Sequence, residues 1–197
     1  MDISFLNRKE NLILTAIEVI DELGIQGLST REVAKRQNMS NAVLFSHFHS
    51  KNELIISVLQ YFYKYDIAMI QTIEENNIKA KDAIIYIFET LSTYYENYPT
   101  ITAIIQATDG LLANPELAAE TKKLLVRRDI FLIKLIEEAQ ESRQICSDVS
   151  SEIILDIITG SFKKVCLRWR VENYSFSLKE QVLNTINAVL NKFSSSN

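Results

Sequence analysis

The sequence predicts an all-α protein with about nine helices, in which a three-helix N-terminal head precedes a larger helical domain. The 197 residues include only four glycines and two prolines, and hydrophobic residues make up 47% of the chain. This composition favours long, uninterrupted helices over strands. Apolar residues recur at helical spacing along most of the chain, and serines with glutamate three residues later mark helix starts.

The first helix belongs to the predicted head, residues 1–50. Ile13, Ala16 and Ile20 recur at helical spacing, and Gly24 suits the exit of the helix. These side chains provide one apolar face around which two further short helices can pack.

Two short helices joined by a tight turn follow this first helix. Ser29 with Glu32 forms a capping box that starts one of them. Asn38 can adopt the left-handed conformation that a sharp turn needs, and Ser40 is a suitable N-cap for the second helix. Ser50 begins a longer helix in the same way. This is the layout of a helix-turn-helix DNA reader.

The second short helix divides into an inner and an outer side. Leu44 and Phe48 lie four residues apart, so both are expected to face the core together with Met39. The side chains expected to face outward are Asn41, Ala42, Val43, Phe45, Ser46 and His47.

The charge distribution supports a DNA contact. Residues 28–52 contain four basic residues and one acidic residue, a local net charge of +3, whereas the whole chain carries −4. A basic patch on an acidic protein suits local phosphate contacts. The isoelectric point of about 5.3 argues against indiscriminate nucleic-acid binding. The charged residues of the patch are Arg31, Glu32, Lys35, Arg36 and Lys51.

This segment resembles the N-terminal domain of TetR-family (TetR/AcrR-like) transcriptional regulators. The match covers roughly the first quarter of the chain, and the rest agrees only in length and helical character. The matching positions are Ile13-Leu14-x-Ala16, Gly24, Leu28-Ser29-Thr30, Val33-Ala34, Met39-Ser40, Leu44-Phe45-x-His47-Phe48 and Ser50-Lys51-x-x-Leu54.

The resemblance implies a DNA-binding role for each matching residue. Thr30 and Arg31 would meet the DNA backbone, and Lys51 would contact a phosphate at the positive end of its helix. Asn41 is the best candidate for reading a base, because a carboxamide can bond adenine in two places. The residues in or beside the major groove would be Ser40, Asn41, Ala42, Val43, Phe45 and His47.

Three positions depart from the family pattern. The family often has Thr where this chain has Val43, Tyr where it has Phe45, and Gly where it has Asn38. The loss of two hydroxyls predicts fewer polar contacts to DNA. It also keeps open an alternative function, a helical protein–protein adaptor on a helix-turn-helix scaffold without a specific operator.

Residues 51–197 are predicted to form an effector-binding and dimerisation domain, which the resemblance also implies. One carboxylate, Asp66, falls on the apolar stripe of its first helix and should be costly there unless it meets a cation, a donor or water. Asp66 could anchor an aromatic or cationic small molecule, or it could be solvated at the helix surface. Helices are predicted at 51–76, 80–97, 99–112, 114–142, 149–171 and 177–193. Candidate ligand-binding residues are Phe62, Tyr65, Asp66, Tyr86, Tyr94, Tyr95 and Phe131.

The last two predicted helices each carry an apolar stripe. Two such stripes could pair with their copies in a homodimer as a four-helix bundle, or they could cover their own core. A dimer would place two reading helices about 34 Å apart, in successive major grooves. The candidate interface residues are Ile154, Ile158, Phe162, Val165, Trp169, Val182, Ile186, Val189, Leu190 and Phe193.

Other functional classes find no support in the sequence. It contains no Gly-rich phosphate loop, H-E-x-x-H, C-x-x-C or nucleophile elbow, so we expect no catalytic residues and no cofactor. His47 and His49 lie two apart and predict no metal site. No signal peptide or membrane-spanning run is expected. Cys146 and Cys166 suit reduced thiols of a cytoplasmic protein, with a redox switch as the minor alternative.

Together these observations predict a ligand-responsive transcriptional regulator. Its partners would be a double-stranded DNA operator, an unknown small-molecule effector and a second copy of the chain. The resemblance favours a repressor that releases its operator when the effector binds the C-terminal domain.

Overall fold

The computed structural model describes residues 3–194, and every regular element in that range is a helix. The predicted all-α class is therefore confirmed. A 3-10 turn at Pro99–Thr102 precedes the seventh α-helix. The α-helices are α1 (Ile3–Gly27), α2 (Thr30–Arg36), α3 (Asn41–Phe45), α4 (Lys51–Phe62), α5 (Lys64–Glu75), α6 (Ala80–Asn97), α7 (Ala103–Leu112), α8 (Pro115–Glu141), α9 (Ser151–Val171) and α10 (Leu178–Lys192).

Local signals in the sequence start and end these helices. The hydroxyls of Ser29, Ser40 and Ser50 each accept a hydrogen bond from the backbone N–H three residues later, at 3.1, 3.3 and 3.0 Å. Asn38 has a φ of 51° in the turn between α2 and α3, and Gly24 has a φ of 70° near the end of α1. The predicted caps and turns of the head are confirmed.

One predicted helix is in fact two. The helix expected over 51–76 ends at Phe62 and restarts at Lys64, with Tyr63 as the C-cap of α4. No glycine or proline marks this point, so the sequence carries none of the usual signals for a break. The apolar stripe continues across it, because Ile55, Leu59, Phe62, Met69 and Ile73, which recur at helical spacing, are all buried.

The chain forms two compact units. Within the described residues, the first, the head unit, comprises residues 3–64 and 100–125; the second, the bundle unit, comprises residues 65–99 and 126–194. The predicted functional division after residue 50 stays a prediction. In the head unit α1 contacts α2, α4 and α7. Its side chains Leu12, Ala16 and Val19 are completely buried.

The bundle unit is built around α10, which contacts both α6 and α9. Aromatic rings fill its centre. The ring of Phe162 lies 5.2 Å from that of Phe88 and 5.8 Å from that of Tyr95, measured between centroids. The indole nitrogen of Trp169 donates a hydrogen bond of 2.8 Å to the carbonyl of Phe176, so this buried donor is satisfied.

The two apolar stripes predicted as a partner surface are therefore largely the core of the bundle unit. This part of the prediction is wrong, because α10 packs against α6 and α9 and covers those side chains. Val189 and Phe193 are half-buried. The other eight are buried within the chain: Ile154, Ile158, Phe162, Val165, Trp169, Val182, Ile186 and Leu190.

A search of the described helices found none that combines the length and the apolar character needed to cross a membrane.

Candidate nucleic-acid interface and ligand cleft

The outer side of α3 is the strongest candidate for a nucleic-acid contact. Val43 and Phe45 are 37% and 40% exposed, and Ala42 is exposed beside them. On the opposite side Leu44 and Phe48 are completely buried. Two large apolar side chains thus stand on a surface held by a packed core, as the sequence predicts.

Asn41, the expected base reader, begins α3 and is half-buried. Its side-chain oxygen is covered and has no hydrogen-bond partner in the described part of the chain. A covered polar atom without a partner costs about 1–3 kcal/mol. A rotation of this carboxamide that brings it to a base edge would therefore gain bonds without breaking one at the oxygen.

His47 does not face outward, which corrects the prediction for this residue. Its side chain is only 6% exposed. Residue 47 lies three positions after the buried Leu44 and next to the buried Phe48, so helical spacing itself places it on the inner side with them. Burial lowers the pKa of His47, and the positive charges of Arg8 and Lys9 lower it further. A neutral imidazole therefore supports the head from within.

The basic surface differs from the one counted along the sequence. Arg36 is held by Glu22 at 2.7 Å and by Glu32 at 3.0 Å, and these carboxylates raise its pKa above the ordinary value. Its charge is thus engaged within the head. Of the other predicted basic residues, Arg31 and Lys35 are exposed, and Lys51 is half-buried, as is Thr30.

Two basic residues of α1, Arg8 and Lys9, lie near α3 and were not predicted as DNA contacts. Arg8 is exposed and Lys9 is half-buried, and both act electrostatically on His47, directly after α3. The ammonium of Lys9 lies 5.0 Å from the centre of the Phe48 ring. In the sequence, the only sign of this role was an adjacent basic pair near the start of an amphipathic helix. Only the packing of α1 places that pair beside the turn after α3.

A cleft of about 520 Å³ lies between α5 and α6 in the bundle unit. Tyr65 and Tyr94 meet edge to face across it, with ring centroids 4.7 Å apart. This volume falls within the usual range for small-molecule sites. The lining residues are Tyr65, Met69, Tyr86, Glu89, Thr90, Leu91, Thr93, Tyr94 and Asn97.

Four of the seven predicted ligand residues lie elsewhere. Tyr95 packs in the core against Phe162, and Phe131 lines a different cleft. Phe62 is buried at the end of α4 in the head unit, and Asp66 is a buried residue of α5 outside the cleft lining. The structure thus brings Tyr65, Tyr86 and Tyr94 together in one cleft and places the other four outside its lining.

Asp66 is not solvated at the helix surface, and its carboxylate is engaged within the chain. It is 3% exposed and is held by Arg128 of α8, whose Nη2 lies 2.6 Å from Oδ1 and whose Nε lies 3.1 Å from Oδ2. A carboxylate on this stripe was expected to need a partner, and Arg128 of the same chain supplies the cation. The sequence could not supply the partner, because 62 residues separate the two.

Residues 12–58 match the family model for bacterial regulatory proteins of the tetR family. The match begins within α1, passes through α2 and α3, and ends within α4. This segment belongs to the TetR family. The resemblance predicted from the sequence is therefore confirmed for the helix-turn-helix and the two helices that hold it.

Longer matches extend over most of the chain. The nucleoid occlusion factor SlmA of Vibrio cholerae is 20% identical over 164 residues, which cover 81% of this chain and 84% of that protein. The ketosteroid transcriptional regulator KstR2 of Mycobacterium tuberculosis has a TM-score of 0.81 at 16% identity and covers 96% of each chain. FadR of Bacillus subtilis, a transcriptional regulator solved with stearoyl-CoA, has a TM-score of 0.80 at 17% identity over 92% of this chain and 97% of that one.

At sequence identities of 16% and 17%, the likeness to the two solved structures shows a shared fold. The TetR-family segment and the exposed outer side of α3 together support a DNA-binding transcriptional regulator.

Proposed function

We propose that this protein is a ligand-responsive transcriptional regulator that binds a double-stranded DNA operator as a homodimer. We further propose that it is a repressor whose operator is released when a small molecule binds the bundle unit. The observation that carries the proposal is the outer side of α3, because exposed Ala42, Val43 and Phe45 lie within a TetR-family segment and stand on a fully buried Leu44.

DNA binding can be tested by gel shift on DNA taken from beside the gene. Lys51→Ala should weaken binding to all sequences and reduce the slope of log affinity against log salt by about one phosphate contact. Lys123→Ala is the matched control, because it removes the same charge from an exposed site on α8. Asn41→Ala should cost about 1–3 kcal/mol of discrimination at one base.

The same experiment separates the proposal from the adaptor alternative. Specific, salt-sensitive binding supports a regulator. Binding that is absent, or that is equal on all sequences and unaffected by Lys51→Ala, favours a protein–protein adaptor on the same scaffold.

The proposed homodimer uses the face of α9 opposite to the one first expected. A surface helix needs one apolar face, whereas α9 has two. The inner face of α9 packs in the core. Along its outer face runs a row of exposed positions, most of them apolar, spaced alternately four and three residues apart. Gly160, with open space around it, and Lys164 complete that row. The apolar members of the outer row are Ile153, Ile157, Leu167 and Val171.

This spacing is that of a helix pairing with its own copy, with Gly160 allowing close approach. Ile157→Asp should therefore convert a dimer to a monomer in analytical ultracentrifugation. Ile67→Asp is the control, since Ile67 on α5 is comparably exposed and outside the row. If Ile157→Asp remains dimeric while Ile67→Asp does not, the interface lies elsewhere.

The effector site in this proposal is the cleft between α5 and α6. The complex of Bacillus subtilis FadR with stearoyl-CoA supports small-molecule binding by this fold. Lys51 begins α4, and α5 begins at Lys64, directly after that helix ends. A ligand that binds α5 can therefore influence α4, the DNA-contacting helix that directly precedes α5 in the chain. It changes operator affinity only as far as it prefers one conformation over another.

A further inference from the structure

We propose that the cleft between α5 and α6 selects an organic cation, held by tyrosine ring faces and by the carboxylate of Glu89. This inference rests on the proposed function and names the ligand class of its effector site. It differs from the earlier expectation in the anchoring group, because Asp66 is already neutralised by Arg128.

The tyrosines occupy both walls of the cleft. Tyr86 and Tyr94 lie eight residues apart on α6 and so share one face of that helix, while Tyr65 lies opposite on α5. Ring faces carry negative electrostatic potential and attract cations that come within about 6 Å. Three rings around one cleft form a surface suited to an ammonium group with a hydrocarbon body.

Glu89 supplies the formal charge. It lies on α6 three residues after Tyr86, and its Oε1 is 2.8 Å from the ammonium of Lys179. Both side chains of this pair are well exposed, and such pairs contribute little stability. A ligand cation can therefore compete with Lys179 for the carboxylate.

The charge of the cleft lining disfavours anionic ligands. Among the described residues that line the cleft, Glu89 is the only Asp or Glu, and none is Lys or Arg. Arg128, on the neighbouring helix α8, is engaged by Asp66 at 2.6 Å. An anionic headgroup in this cleft would meet the like charge of Glu89, and Lys179 beside it is already paired with that carboxylate. Charge complementarity thus favours a cation over the acyl-CoA bound by Bacillus subtilis FadR.

The experiment is isothermal titration calorimetry on the full chain, without DNA. The probes are benzyltrimethylammonium, neutral benzyl alcohol and anionic phenylacetate. The cation should bind most tightly and the anion least. Tyr86→Leu should weaken cation binding between about twofold and thirtyfold, whereas Tyr86→Phe, which keeps the ring face, should retain it.

Two charge variants should change the affinity for the cation in opposite directions. Glu89→Gln should weaken cation binding, and Lys179→Met should strengthen it, because the competing ammonium is gone. A general loss of structure would weaken binding in both variants. The proposal is overturned if phenylacetate binds as tightly as the cation, or if Tyr86→Leu and Tyr86→Phe behave alike. Because no operator is present, these outcomes do not depend on whether the chain regulates transcription.

Discussion

Removing Arg128 should destabilise the protein more than removing the charge of its partner Asp66. The two are joined by short contacts from Nη2 and Nε, yet they are unequally buried: the Asp66 side chain is 4% exposed and that of Arg128 is 16% exposed. Arg128→Met leaves a carboxylate enclosed by protein, which should cost about 3–5 kcal/mol. Asp66→Asn leaves a guanidinium that can reach water, so a smaller loss of about 2–3 kcal/mol is expected.

Urea unfolding at one fixed protein concentration measures these losses. The double variant should cost less than the sum of the single variants by about 1–3 kcal/mol, because both charges have then left the interior. Lys134→Met is the control, since its exposed pair with Glu138 has an N–O distance of 3.7 Å and should change stability by no more than about 0.5 kcal/mol.

A loss below about 1 kcal/mol in Arg128→Met, or strict additivity in the double variant, would refute the view that a buried ion pair joins α5 to α8.

Three further predictions follow from single sites. Burial lowers the pKa of His47 below its ordinary value of 6.5. The contribution of His47 to stability is therefore complete above pH 6.5 and is lost as the pH falls towards the folded-state pKa. His47→Gln should flatten this pH dependence of stability, measured by urea unfolding between pH 7.5 and 5.5. Burial raises the pKa of Cys166 to about 12, so a thiol reagent should modify Cys146 first and Cys166 only after denaturation; equal rates would contradict this. Gly24→Ala should destabilise the head by about 1–3 kcal/mol, since φ 70° and ψ 172° suit glycine alone, whereas Gly110→Ala within α7 should be neutral or stabilising.

The local features of this protein were predictable because their causes lie within a few residues. A serine hydroxyl caps a backbone N–H three positions away, and asparagine and glycine reach positive φ at low cost wherever they stand. Ser29, Asn38 and Ser40 therefore define the helix-turn-helix without help from the rest of the chain. The same holds for the start of α8, where the side chain of Asn114 accepts the N–H of Glu116.

Tertiary structure decided which groups face one another, because an apolar period shows that a face is buried but not what buries it. Both faces of α9 are apolar, and only the packing of α10 makes one of them the core. His47 is buried with Leu44 and Phe48, and only the packing of α1 brings Arg8 and Lys9 near it. Asp66 meets a cation 62 residues away, and Glu89 lies with Tyr65 and Tyr86 in one cleft, through contacts that no short stretch of sequence contains.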